Sequence, residues 1–310
     1  MLEAPSRQAI PAAWAAWDLG LWNPERQGPD RRLDAALDKY RQDRDHGSRM
    51  RARFLRAPKG PHRIAIEKND GPHLKFAFSR DGWTSYQRRL REVELEDLVL
   101  SHPMREFSRH AKQEHKPNAL WTHTNEDLLA CESQRERRFA LLADYDQRVT
   151  HIVAQPMTIL FPAGSPFAIH TPDALVFAPH EPPVAVNIKT PDKALDPETV
   201  AVHDEVTAAL APLGIGHIVW TELPEVLFYN LGLLSKVRPD PLWVVKHRPG
   251  LLAALDAPMS VANLSARLAA DNLLPVHEAQ SLIQRLLWQQ ELQADLTVRY
   301  SNTATEVSAA

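Results

Sequence analysis

With 310 residues, 44% of them hydrophobic and 24% charged, the chain has the composition of an ordinary soluble protein and the length for two domains. No apolar run reaches the roughly 18 residues of a membrane-spanning helix, and Met1–Gly28 has no basic segment leading into an apolar one, so neither a membrane span nor a secretory signal is expected. The single cysteine, Cys131, excludes internal disulfides and cysteine-rich zinc sites and fits a reducing cytoplasm.

Charge is unevenly distributed. Residues 1–150 carry 27 Lys and Arg against 23 Asp and Glu, while residues 151–310 carry 9 against 16. A half with net +4 therefore precedes one with net −7. Arg41, Arg44, Arg49, Arg51, Arg53, Arg56, Lys59 and Arg63 form the densest basic stretch. Such a run suits either a phosphate backbone or a solvated helix and linker.

Residues 1–124 read as a basic N-terminal region. Its first 60 residues are helical and irregular, broken by Pro5, Pro11, Pro24 and Pro29, with Trp14, Trp17 and Trp22 near helical spacing as packing residues. Arg63–Glu67 and Leu74–Phe78 flank Asn69-Asp70-Gly71, a hairpin signal. Glu92–Leu100 is short and amphipathic. Residues 101–125 read as a polar loop, with His110 and His115 as surface residues rather than ligands.

From Asn125 the pattern sharpens. Glu126–Tyr145 predicts a helix capped by Thr124 or Asn125. Thr150–Phe161, Asp173–Phe177 and Val184–Lys189 predict three strands. Pro197–Leu213 predicts a helix with Asp196 as N-cap and Pro197 at its first position, and Gly216–Thr221 a fourth strand. Residues 125–225 thus read as an α/β core, a mixed sheet with helices on its faces. In the tail, 226–310, Ser260–Ala270 and Val276–Gln290 predict two helices joined by a turn carrying Pro275. Glu291–Tyr300 alternates like a strand or hairpin, and Ser301–Ala310 looks frayed. Helix, turn, helix, strand is the order of a winged helix. Its second helix offers Gln280, Gln284 and Arg285 but little positive charge, so protein docking suits it at least as well as DNA reading.

Four residues of this core form a chemically coherent set. Asp173 opens a strand directly after Pro172, which has no N–H to donate. Asn187 and Lys189 are two apart on one strand and share a face. Glu136 lies three before Phe139 and seven before Ala143, on the inward stripe of its helix, where a carboxylate needs a partner. Phosphodiester hydrolysis needs water activated near neutral pH and charge stabilised on the phosphate. Mg²⁺, or Mn²⁺ in its place, does both when held by carboxylate and carbonyl oxygens. Asp173, Asn187 and Glu136 are the candidate metal-holding groups, and Lys189 the candidate that assists the attacking water. Taken singly, Asp173 also fits a turn residue and Lys189 a solvated strand end.

The chain resembles the TnsA family of transposition endonucleases at Trp121-Thr122-His123-Thr124, Glu132-Ser133-Gln134-Arg135-Glu136-Arg137, Leu142-Ala143-Asp144-Tyr145-Asp146, Gln155-Pro156, His170-Thr171-Pro172-Asp173 and Val186-Asn187-Ile188-Lys189. The likeness covers roughly residues 100–225. It implies a restriction-endonuclease-like fold. It also implies a helix glutamate at Glu136, a metal-binding aspartate at Asp173, a catalytic lysine at Lys189 and a site glutamine at Gln155. Asn187 stands where the family has Glu, Asp or Gln, so a weaker metal site is expected. The family cuts one strand of double-stranded DNA at transposon ends, beside a transposase that cuts the other and an ATPase regulator. No G-x-x-x-x-G-K-[ST] loop occurs here, so such an ATPase would be a separate chain. Two other readings stay open: a stand-alone defence or repair nuclease, and a silent DNA-binding or assembly subunit.

Overall fold

The computed structural model describes residues 64–105, 118–178 and 181–310, together with Ala35. The basic stretch from Arg41 to Arg63, the three N-terminal tryptophans and the His110/His115 pair lie outside the described residues. The described residues form two compact units that divide between Glu222 and Leu223. The architecture is mixed α/β, and among the described residues no helix is long and apolar enough to cross a membrane.

The first unit holds two four-stranded sheets. One runs β2 (Tyr86–Arg89), β1 (Lys75–Phe78), β6 (Thr158–Leu160) and β7 (Ile169–His170), antiparallel throughout. The other runs β10 (Gly216–Trp220), β9 (Val184–Ile188), β8 (Ala174–Phe177) and β5 (His151–Ala154). It is mixed: β9 and β10 are parallel, and the remaining pairs are antiparallel. A short helix α1 (Leu95–Val99) precedes a separate hairpin of β3 (Asn118–Thr122) and β4 (Asp127–Cys131), which leads into helix α2 (Gln134–Tyr145). After β9 come α3 (Pro191–Ala194) and α4 (Pro197–Leu210). Helix α4 starts where expected, with Asp196 accepting from Thr199 N at 3.2 Å and Pro197 at its first position.

Strand alternation separates the two faces of the mixed sheet. Ala185 points to the side where Val206, Ala209 and Leu210 of α4 join Leu175, Phe177, Phe76 and Phe78 in one buried core. Trp220, in register with Ile188, points to the other side and meets Phe139 of α2 edge to face at 5.6 Å. Helices α2 and α4 therefore cover opposite faces.

Four sequence expectations for this unit need correction. The helix predicted from Glu126 begins eight residues later, and its N-cap is Ser133 rather than Thr124 or Asn125. Residues 127–131 pair with β3 instead. Thr124 N donates to Asp144 Oδ1 at 2.7 Å, and Asn125 exchanges hydrogen bonds with the backbone of Ile152. The loop expected over 101–125 accordingly contains β3. The strand predicted over Thr150–Phe161 is two strands in different sheets, separated at Gln155, whose φ of 45° turns the chain. Asn69-Asp70-Gly71 does not join two strands. The Asn69 side chain is buried and donates to the carbonyls of His73, Leu160 and Phe161, while β1 pairs with β2 and β6.

The second unit contains α5 (Glu225–Leu234), α6 (Pro241–Ala254), β11 (Met259–Ser260), α7 (Val261–Ala270), α8 (Val276–Trp288), β12 (Leu292–Gln293) and β13 (Glu306–Ala309). The last helices sit where the apolar spacing put them, packed through Leu264, Leu268, Leu282 and Leu286. The end of the chain is not frayed, because β13 lies between β11 and β12. The segment before it is held from α5. Buried Asn230 donates to Leu296 O and Val298 O at 2.8 and 2.7 Å and accepts from Tyr300 N at 2.9 Å.

Candidate active site

The antiparallel pairing of β8 and β9 sets the start of one beside the end of the other. Asp173, just before β8, donates its N–H to Val186 O at 2.9 Å, and its Oδ2 accepts from Ile188 N at 2.7 Å. Its carbonyl accepts from Gln155 N at 3.0 Å. Backbone and one carboxylate oxygen are thereby fixed, and Oδ1 is left 3.7 Å from Nη1 of Arg105. Lys189 follows β9, half-buried, with its N–H donated to Trp220 O at 3.0 Å. Its charge is felt by His170 and His203, and its ammonium forms no ion pair among the described residues.

Glu136 occupies the third position of α2, where the N-cap Ser133 and the backbone of Glu132 hold it. Ser133 Oγ accepts from Glu136 N at 3.1 Å and donates to Glu136 Oε1 at 3.0 Å, and Glu132 N donates to Glu136 Oε2 at 2.8 Å. Burial, then the charge of Asp173, raises the Glu136 carboxyl to about 7, with Glu132 adding to the rise against the hydrogen bonds from Glu132 N and Ser133. Three carboxylates thus crowd one end of the mixed sheet, and their mutual repulsion is what an added cation would relieve.

Gln155 ties this cluster together. It is fully buried and takes up a left-handed φ that costs a non-glycine residue energy, a cost met by its bonds. Its Nε2 donates to Glu132 Oε2 at 2.9 Å, its Oε1 accepts from Arg105 N at 3.2 Å, and its carbonyl accepts from Met104 N at 3.0 Å. Sequence reasoning placed Gln155 in the site but missed Glu132 and Arg105. The doublet of acids four apart around Ser133 was the signal for Glu132. Arg105 had none, since its partners lie 27 or more positions away.

Asn187 faces a different environment. Its buried amide lies 2.9 Å from His170 Nε2 on one side and 2.9 Å from His217 Nε2 on the other. His217 Nδ1 meets Thr207 Oγ1 at 2.8 Å, and that hydroxyl donates to His203 O at 2.8 Å. The ring of His203 stands between those of His170 and His217, with centroids 5.6 and 5.4 Å away, and both its nitrogens are buried without a hydrogen-bond partner among the described residues. Burial lowers all three imidazoles, His203 to about 4 and His217 to about 3, so they are neutral near pH 7. With neutral rings, Asn187 Nδ2 donates to His170 Nε2 and Asn187 Oδ1 accepts from His217 Nε2–H, which leaves His217 Nδ1 facing the Thr207 hydroxyl as an acceptor. Each end of the Asn187 amide makes one hydrogen bond in this chain, which competes with the metal-holding role expected of it.

Among the described residues, no three His, Cys, Asp or Glu side chains are already gathered as ligands of one metal ion. The donor chemistry nonetheless suits a hard divalent cation at Asp173 and Glu136, with Glu132 beside them, because all three offer carboxylate oxygens and burial, then the charge of Asp173, penalises a lone charge on Glu136. A comparison with known proteins finds no family whose model matches the chain and no curated protein that matches it.

Proposed function

We propose that the chain is a Mg²⁺-dependent DNA endonuclease, acting as the nuclease subunit of a heteromeric transposase. The observation that carries this reading is the placement of Asp173 close enough to Glu136 for their charges to interact at one end of a mixed sheet flanked by helices, with Lys189 next after β9, an arrangement that supports a restriction-endonuclease-like core. Asp173 and Glu136, with Glu132 in support, would hold the metal, which supplies an activated water and neutralises phosphate charge. Asp173 presents Oδ1 from a backbone locked on three sides. Glu136, titrating near neutrality, is able to accept a proton at working pH. Lys189, whose ammonium forms no ion pair among the described residues, offers its charge to the phosphate. The second unit, whose helix–turn–helix and small sheet follow a winged-helix-like order, carries Leu242 and Val245 exposed on α6 and suits docking of a partner transposase or ATPase regulator.

The commitment of the Asn187 amide favours a second reading, a subunit that binds DNA or partners without cutting. Mn²⁺ calorimetry with a parallel DNA-nicking assay, run with partner proteins present, separates the two. Metal binding and nicking that both disappear in Asp173→Ala support the nuclease. DNA or partner binding indifferent to metal, with no strand breaks in any combination, supports the silent subunit.

A further inference from the structure

Arg105 is anchored to the carboxylate cluster through both backbone and side chain. Its N–H donates to Gln155 Oε1, its Nη2 donates to Thr171 O at 3.2 Å, and its Nη1 lies 3.3 Å from Glu132 Oε2 and 3.7 Å from Asp173 Oδ1. A single nitrogen is thus shared between two acids. The Asp173 oxygen it faces is the one that Ile188 N leaves unused. A positive charge standing at the open oxygen of one carboxylate and shared with a second is the placement of a bridging cation. Both contacts are longer than the 2.7–2.9 Å typical of charge-assisted hydrogen bonds. The side chain is 43% exposed, so the guanidinium is held loosely and has a way out to solvent.

On the metal-dependent reading above, we propose that Arg105 is a resident counter-ion that occupies the cation face of Asp173 and Glu132 and has to be displaced before a divalent metal loads. Two cations cannot share Asp173 Oδ1 without strong repulsion in a site of reduced dielectric. The guanidinium keeps the acids paired while the metal is away, and it lowers the affinity of the chain for metal by competing for the same oxygens. It is a positioning residue, since it acts on the carboxylates rather than on substrate.

The test is Mn²⁺ titration of the full chain by calorimetry, with thermal melting in the absence and presence of Mn²⁺, for wild type, Arg105→Gln and Asp173→Ala. Arg105→Gln keeps hydrogen-bonding reach and removes the charge. It is expected to bind Mn²⁺ roughly tenfold more tightly than wild type. It should also melt lower without metal and show a larger rise in Tm when metal is added. Wild-type binding that is lost in Asp173→Ala but is no tighter in Arg105→Gln overturns the role given to Arg105 and leaves the metal site standing. Absence of Mn²⁺ binding in all three proteins overturns the metal-dependent reading and this inference with it. Should Arg105→Gln fail to fold, Arg105→Lys decides, because it keeps the charge but loses the fork that reaches Thr171. Tighter Mn²⁺ binding than wild type supports displacement, and equal or weaker binding overturns it.

Discussion

Asp173 and Asn187 are buried to nearly the same degree, at 8% and 1% exposure, and lie at adjoining ends of neighbouring strands. Their surroundings are opposite in kind. Asp173 sits among Glu132, Glu136 and Arg105, with one oxygen fixed by the backbone and the other 3.7 Å from a guanidinium nitrogen. Asn187 sits among three imidazoles that burial keeps neutral, and both ends of its amide are used. A buried polar group held by hydrogen bonds at both ends suits architecture. One with an open lone pair in a field of like charge is available for chemistry. Two residues of one motif therefore divide into a structural and a reactive member, although spacing alone makes them equivalent.

The largest effects should follow from breaking the reactive side. Asp173→Ala is expected to abolish Mn²⁺ binding and metal-dependent nicking. Asp173→Asn keeps an acceptor for Ile188 N and should lose both functions while melting close to wild type, which separates charge from architecture. Lys189→Ala should lower the cleavage rate by roughly a hundredfold or more with little change in Tm, since its side chain is half-buried and makes no ion pair among the described residues. Nicking undiminished in both Asp173→Ala and Lys189→Ala would sink the site assignment.

How much of this was legible in the sequence depended on the range of the interactions involved. Strands β8, β9 and β10 and helix α4 follow from local pattern and caps, and each lies within a few residues of its predicted bounds. Asp173, Asn187 and Lys189 were therefore placed correctly on the fold. The failures came where a distant partner overrode local preference. Asp127-Leu-Leu-Ala-Cys131 has helix-forming leucine and alanine yet forms a strand because β3 offers it a ladder. In Thr150–Phe161 the local mark of the break was Pro156, which cannot donate to a ladder, while the strained φ of Gln155 is supported by the distant Met104, Arg105, Glu132 and Asp173. Engagement of Asn187 by His170 and His217 was invisible for the same reason, being a contact across 17 and 30 positions.

Next in size is the pH dependence of the reactive side. The Glu136 carboxyl sits at about 7 in the fold against an ordinary value of 4.5, so between these values the folded chain holds a proton that the unfolded chain has released. Stability contributed by this group falls as pH rises through that window. His203 and His217 act with the opposite sign. Below their ordinary value of 6.5 the unfolded chain takes up protons that the folded chain refuses, and stability is lost as pH falls. Comparing Glu136→Gln with wild type isolates the first effect, because glutamine retains an acceptor for Glu132 N or the Ser133 hydroxyl. In metal-free urea titrations the variant should gain on wild type as pH rises from 4.5 to about 7, by at most about 3 kcal/mol. Parallel profiles would show that Glu136 is already compensated.

The structural side should answer in stability and not in metal affinity. Asn187→Ala leaves His170 and His217 without their shared partner and is expected to cost about 1–3 kcal/mol, while Mn²⁺ affinity stays within about threefold of wild type. A loss of affinity as large as that in Asp173→Ala would return Asn187 to the metal site. The smallest effect, and the sharpest for the histidine side, concerns His203. Its ring is 6% exposed and is flanked by two other imidazoles, with neither nitrogen hydrogen-bonded among the described residues. A neutral imidazole always carries one N–H, and burying that group without a partner is unfavourable, whereas an apolar side chain of similar size has nothing to leave unmet. His203→Leu should therefore raise stability by about 1 kcal/mol at pH 7, with a larger advantage toward pH 5, where the unfolded wild type gains a proton at this residue. A loss of stability instead would mean that the ring has a partner in solution, and would shift His203 from the architectural side of the comparison to the reactive one.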